Sequence, residues 1–217
     1  MAAVTLETLT EQLSLADRLL AGRETMLEPQ DLPGHYGRVV AAVDRILMAI
    51  GCEAVVGGGW AVWRHGFLGR VTQDIDIVLP ADRVDEFLRV AAVSGFQVLA
   101  QQPGRWPKVL HKETDTRVVV LPGGERPGVP TRPAPTVIPA PGRLGAAGTQ
   151  LRYIHLPGLV ELKIAAGRAR DTADLIELMR VNLDRAGEIR AHLATVHAEY
   201  AATFDRLLQQ AREQTDQ

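Results

Sequence analysis

Leu6, Leu9, Leu13, Leu15, Leu19 and Leu20 recur close to the 3.6-residue period and predict an amphipathic helix over residues 4–28. Glu28-Pro29 and Leu32-Pro33-Gly34 interrupt it. From about His35 to Ile50 the pattern resumes, with Val39, Val40, Val43, Ile46 and Leu47 inward and a stop at Gly51. A short strand, Ala54-Val55-Val56, runs straight into Gly57-Gly58-Gly59, after which Trp60 to His65 reads as the first turns of a helix. Val71 to Leu79 then switches to period two. Asp74 and Asp76 point one way and Ile75 and Ile77 the other, between Gly69 and Pro80, which describes a half-buried strand. A helix over Ala81–Val93 and strands over Phe96–Leu99, Val109–Lys112 and Arg117–Leu121 follow.

Between Pro122 and Gly148 the periodicity disappears. Seven of the 13 Pro and six Gly fall in this stretch, so a packed loop with mobile parts is expected there rather than a helix or central strand. Helical spacing returns from Pro157 to about Asn182, and again from Ala186 to Gln214 as one long final helix. Helices and strands both recur along the chain, which suits an α+β fold. It divides into an N-terminal helix (1–35), a core (36–150) and a C-terminal helical region (151–217).

Composition narrows the class. The chain has 217 residues, 46% hydrophobic and 23% charged, enough for a substantial core. Only 5% are aromatic, so aliphatic side chains and alanine fill most of that core. A lone Cys52 excludes an internal disulfide framework and a cysteine-based zinc cluster. No run of eighteen apolar residues is present, and MAAVTLETLTEQ lacks a basic segment followed by an apolar one. The expected setting is cytoplasmic, with no membrane partner. Formal net charge is −2, which gives no general attraction to nucleic acid, although residues 101–150 carry 7 basic and 3 acidic side chains.

Three groups of residues carry candidate chemistry. Asp74 and Asp76 lie on one strand face, their Cα atoms roughly 6–7 Å apart. Two carboxylates so close repel unless water or a cation separates them, and Mg²⁺ takes such oxygens together with substrate phosphates. Gly58-Gly59, between a strand and a helix start, is either a tight turn or a place where backbone approaches phosphate oxygens. In Glu161–Met179, Lys163, Gly167, Asp171 and Asp174 fall on one stripe of a continuous helix, with Arg170 beside it. That stripe is either a solvated ion-paired face or a surface against which something packs closely, since glycine inside a helix costs about 1 kcal/mol. The dinucleotide GxGxxG and the Gly-Lys-Ser/Thr phosphate loop are both absent.

Taken together, VVGGGWAVWRHG, GRVTQDIDIVL and LPGLVELKIAAGRARDTADLIEL resemble the nucleotidyltransferase superfamily, with its DNA polymerase β-like fold. The bacterial branch that includes abortive-infection (AbiEii-type) toxins is the most similar, over roughly residues 36–182. The resemblance implies a mixed sheet flanked by helices, and a Mg²⁺-dependent enzyme that transfers a nucleoside monophosphate from an NTP to a hydroxyl on RNA or a small molecule. Asp74 and Asp76 would hold Mg²⁺ and phosphates, and Gly58 and Gly59 the triphosphate. Arg70 and Thr72, which precede the acids, would line the nucleotide site. Lys163 would contact phosphate and Asp171 would complete the site. One departure stands out: the third carboxylate that many members place on a neighbouring strand corresponds to Val119, and valine neither ligates metal nor accepts a proton. A binding or regulatory protein on a degenerate version of the fold is therefore the alternative reading.

Other residues read as structural. The six histidines never fall at a metal-ligand spacing, and His65 reads as a structural residue near the motif. Trp60 and Trp63 read as core. Trp106, among Arg105 and Lys108, is the better base-stacking candidate, though packing is the simpler role. Cys52 reads as buried and inert. Leu193, Val196, Tyr200, Phe204, Leu207 and Leu208 make the final helix amphipathic, suited to packing within the chain, to a homodimer or to a protein partner.

Overall fold

The computed structural model describes residues 4–102, 104–129 and 132–215. Its elements in chain order are α1 (Leu6–Leu20), α2 (Gly34–Ile50), β1 (Val55–Val56), α3 (Gly58–Arg64), β2 (Ile75–Pro80), α4 (Val84–Val93), β3 (Phe96–Val98), β4 (Lys108–His111) and β5 (Thr116–Gly123). Then come β6 (Gly128–Val129), β7 (Arg132–Pro133), β8 (Arg152–Tyr153), α5 (Leu156–Ala166), α6 (Ala169–Arg180), α7 (Ala186–Val196) and α8 (Ala198–Thr215). A six-stranded mixed sheet has the order β3-β4-β5-β2-β1-β8, and β6 and β7 form a separate hairpin. The α+β expectation, a mixed sheet flanked by helices, holds.

The middle of the sheet is the β-branched part of the sequence. β2 and β5 run parallel, with Ile75 opposite Val118 and Ile77 opposite Val120, all four inaccessible to solvent. Burial of this face explains why Val and Ile fill it. β1 is antiparallel to β2, and β4 is antiparallel to β5. The inward residues of α2, from Tyr36 to Leu47, are buried in the same core as Trp60, Trp63 and Phe87. β8 is invisible to periodicity because it is only two residues long, yet it pairs parallel with β1 and closes that edge of the sheet.

Four of the differences from expectation have a clear local reason. The first helix ends at Leu20 rather than near residue 28, and Glu28 instead caps a 3₁₀ turn over Pro29–Asp31. β2 starts at Ile75 rather than Val71, because the residues before it are held by side chains instead of a neighbouring strand. The helix expected over 157–182 is two helices, since Gly167 adopts φ +63° and caps α5 in the left-handed conformation. The final long helix is also two, broken at His197, whose backbone is extended. Tyr200, Phe204 and Leu207 of α8 are nonetheless buried within the chain, as its amphipathic pattern requires.

Candidate active site

The site begins where β1 meets α3. Gly57 N–H donates to the Asp76 backbone carbonyl at 2.8 Å, which ties the glycine turn to β2. Gly58 then takes φ +58°, and an alanine Cβ there would lie 1.7 Å from Asp76 Oδ2. A Cβ on Gly59 would lie 2.2 Å from Thr72 Oγ1 and 3.3 Å from Arg70 Nε. Both glycines therefore make room for side chains of the strand motif, and Gly58 also supplies a backbone geometry that other residues adopt at a cost. Gly58, Gly59, Arg70, Thr72 and Asp76, chosen from separate stretches of sequence, form one contact cluster.

Residues 70–74 reach the strand through a set of clamps. Trp63 Nε1 donates to the Arg70 carbonyl at 2.7 Å, and Arg170 Nη2 to the Val71 carbonyl at 3.3 Å. Thr72 is buried and its backbone is held on both sides. Its N–H donates to Gln12 Oε1 at 3.1 Å, while its carbonyl accepts from Tyr36 Oη at 3.1 Å and from Gln12 Nε2. Gln12, itself buried on α1, thus completes a two-way amide pairing with Thr72 much as a neighbouring strand would. Sequence reasoning missed it, since a polar residue on an amphipathic helix carries no mark of its target.

The two carboxylates differ. Asp74 accepts from Arg117 Nε at 2.9 Å, and both side chains are partly exposed. Arg117, also missed from the sequence, stands on β5 two residues before Val119, on the same face of the sheet. Asp76 is partly buried, and among the described residues no side chain or backbone group donates a hydrogen bond to its carboxylate. Burial and the Asp74 charge push its pKa up to about 6, against the pull of Arg70, Arg168 and Lys163. Directly beside it in the parallel register stands Val119. The neighbouring-strand position is therefore apolar, and Lys108 of β4 flanks Val119 on its other side.

Opposite these acids, α5 and α6 present a buried ionic network. Lys163, Asp171 and Asp174 are each 5% exposed or less. Lys163 Nζ lies 2.5 Å from Asp174 Oδ2 and 3.4 Å from Asp171 Oδ1. Asp174 also pairs with Arg70, while Asp171 accepts two hydrogen bonds from Arg168, at 2.6 and 3.1 Å. On one continuous helix Lys163 and Asp174, eleven residues apart, would be separated by roughly 16 Å along the axis. The elbow at Gly167 is what folds them face to face. Burial lowers the Lys163 pKa even though Asp174 and Asp171 raise it. For Asp171 burial acts upward, but the Arg168 hydrogen bonds and the Lys163 charge prevail and hold its carboxyl below the usual range. Arg168 pairs with Asp171, whereas Arg170 donates to the Val71 carbonyl.

The remaining candidates have structural roles. His65 Nε2 bonds the Ile154 carbonyl at 2.8 Å. Trp60 and Trp63 are buried, and Trp106 is partly buried against the same core. Cys52 is buried, which pushes its thiol up to about 11. Among the described residues no group of three or more His, Cys, Asp or Glu side chains is placed to hold a metal by itself, and no helix is long and apolar enough to cross a membrane.

Compared with known proteins, the chain matches no family model and no curated protein. Two solved structures are similar to it. The crystal structure of ANT(2")-Ia in complex with adenylyl-2"-tobramycin aligns at 18% identity and a TM-score of 0.46, covering 82% of this chain and 97% of that one. The solution structure of the antibiotic-resistance factor ANT(2'')-Ia aligns at 18% identity and a TM-score of 0.43, covering 82% and 94%. At this distance the function has to be argued from the chain's own residues.

Proposed function

We propose that this chain is a nucleotidyltransferase, which moves a nucleoside monophosphate from an NTP to a hydroxyl acceptor at the Asp74/Asp76 site. The observation that carries the reading is the junction of Asp76 with Gly58: a carboxylate with no hydrogen-bond donor among the described residues, seated against the glycine turn and facing the charges of Arg70, Arg168 and Lys163. Such a carboxylate, with a second acid two residues away, suits a hard cation that completes its shell with substrate phosphates and water. Asp74 and Asp76 are the residues that would hold Mg²⁺, which when bound neutralises charge on the phosphate oxygens.

The chain's own groups have separable tasks. Asp76 is fixed by the Gly57 hydrogen bond and by contact with Gly58, so its carboxylate is pre-positioned. Arg117 pairs with Asp74 and offsets its charge. Lys163 and Arg168 are tied to Asp171 and Asp174, so their part is a field of fixed positive charge beside the phosphates. In the reaction the acceptor oxygen forms a bond to the α-phosphorus, the bond to pyrophosphate breaks, and the acceptor proton leaves to a base.

That last step motivates a second reading. Val119 stands next to Asp76 in the register, where it can take no proton. A protein that binds nucleotide without turnover would share the rest of the site.

Titration calorimetry of ATP, GTP, CTP and UTP, with Mg²⁺ and with EDTA, tests the shared part. The expected result is Mg²⁺-dependent binding of at least one NTP by the wild type, weakened tenfold or more in Asp76→Asn. No binding by folded wild type, or equal binding by the variant, would overturn both readings. Transfer of α-³²P label to an acceptor panel then separates them. The panel includes tRNA and tobramycin, the latter because the first structural neighbour carries it in adenylylated form. Labelled acceptor establishes transfer; bound nucleotide with no labelled acceptor favours the binding protein.

A further inference from the structure

At the opposite end of α3 from Gly58 the surface carries an open concavity of about 350 Å³. Helix α3 is seven residues long, so roughly 10 Å of helix separates it from the glycine turn. Its wall is strongly cationic, with Arg64 from the last turn of α3, Arg152 from β8, and Arg185 just before α7. Glu28 is the one carboxylate in the lining, and it is already paired with Arg152. Arg185 pairs with Glu188 at 3.0 Å. Arg64 has no carboxylate partner among the described residues: its Nε donates only to the Leu27 carbonyl, at 3.3 Å.

The same wall holds two buried polar atoms without a hydrogen-bond partner. Tyr153 is 8% exposed and its hydroxyl has no partner; neither has Arg152 Nε. Orphaned polar atoms of this kind cost free energy in the folded state. His65, also in the lining, is kept neutral by burial, which pushes its pKa down to about 4, so it donates to the Ile154 carbonyl rather than adding charge. Three planar guanidinium groups around one concavity form a donor set suited to phosphoryl oxygens, and the volume admits a small molecule.

We propose that this pocket, formed by Arg64, Arg152, Arg185 and Tyr153, binds a phosphoryl group of a small molecule at a site separate from Asp74 and Asp76. The ligand is either free phosphate or a phosphomonoester, and both present the same oxygens to the arginines. Neither needs a divalent cation here, which distinguishes this site from the acidic one.

The test is calorimetry in EDTA with two probes, inorganic phosphate and AMP, on wild type, Arg64→Gln and Asp76→Asn. Binding of one or both is expected, about tenfold weaker in Arg64→Gln and unchanged in Asp76→Asn. Equal affinity for the two probes identifies phosphate alone as the ligand, and preference for AMP identifies a phosphomonoester. If Arg64→Gln does not fold, Arg185→Gln reads the same loss from the opposite wall. The proposal is overturned if folded wild type binds neither probe at millimolar concentration. It is also overturned if the arginine variant binds as wild type does, or if Asp76→Asn abolishes binding.

Discussion

Replacing Gly58 by alanine puts a methyl group where Asp76 already stands. The new Cβ would lie 1.7 Å from Asp76 Oδ2, 2.6 Å from its Cγ and 2.9 Å from its Cβ. All three distances are far inside van der Waals contact, so Asp76 has to move, and with it the strand that carries it. Two costs add. Holding a residue with a side chain at φ +58° costs about 1–2 kcal/mol, and forcing one carbon into a filled space costs about 1–3 kcal/mol. The sum is about 2–5 kcal/mol, a large share of the stability of a domain this size. For a chain of 217 residues that corresponds to a fall in Tm of roughly 4–20 °C. Gly57 is the control, because its φ is −108° and a Cβ there meets nothing within 4 Å. Gly57→Ala is expected to cost less than about 1 kcal/mol. Urea and thermal unfolding followed by circular dichroism measure both variants, and NTP titration checks that Gly58→Ala also loses the nucleotide site. If the two variants unfold alike, or if Gly58→Ala stays within about 1 kcal/mol of wild type, the close packing of Gly58 on Asp76 is wrong.

Three further expectations follow from the same geometry. Lys163→Met strips the cation from between two buried carboxylates and should destabilise by about 3–5 kcal/mol in urea unfolding, Arg70 and Arg168 compensating only in part; a loss below about 1 kcal/mol would contradict the network. Gln12→Ala breaks the amide pairing with Thr72 and should cost about 1–3 kcal/mol and weaken NTP binding, although Gln12 touches no carboxylate of the site; an unchanged NTP affinity would show that the clamp does not position it. Asp76 binds its proton more tightly folded than unfolded, because burial and Asp74 push it up to about 6 from 3.8, so the stability it contributes is present below about pH 4 and is lost as pH rises through 6. Urea midpoints in EDTA should therefore move in favour of Asp76→Asn over wild type by about 1–3 kcal/mol between pH 4 and pH 8, whereas a pH-independent difference would refute the shift.

How far the site could be read in the chain depends on the range of the interaction involved. The alternation through Asp74, Ile75, Asp76 and Ile77 marks a half-buried strand with both acids on one face, since side-chain direction in a strand is a local property. The apolar identity of Val119 is likewise a plain reading, and the parallel register places it beside Asp76. Gly167 shows where local reading fails. A glycine inside a helical pattern either is tolerated or ends the helix, and which one applies depends on what the following segment can pack against. Here α6 turns back, and Lys163 meets Asp174 in a way that a single stripe of helix does not allow. Arg117 and Gln12 carried no signal of their own, because each acts on a partner from a different part of the chain.

By itself, then, the sequence determined the apolar strands and helix faces, the glycine turn, and the paired acids with the residues that precede them. These features depend on backbone propensity and on side-chain spacing within one element. Only the tertiary structure decided that Gly58 and Gly59 are packed on Asp76 and Thr72, that Lys163 is committed to two aspartates, and that Asp76 stands in contact with the glycine turn. It alone joined Arg64, Arg152 and Arg185, residues from three distant segments, around one cavity. The reason is physical: burial, ion pairing and the orphaning of polar atoms depend on which elements meet, and no pattern within one element specifies its neighbours.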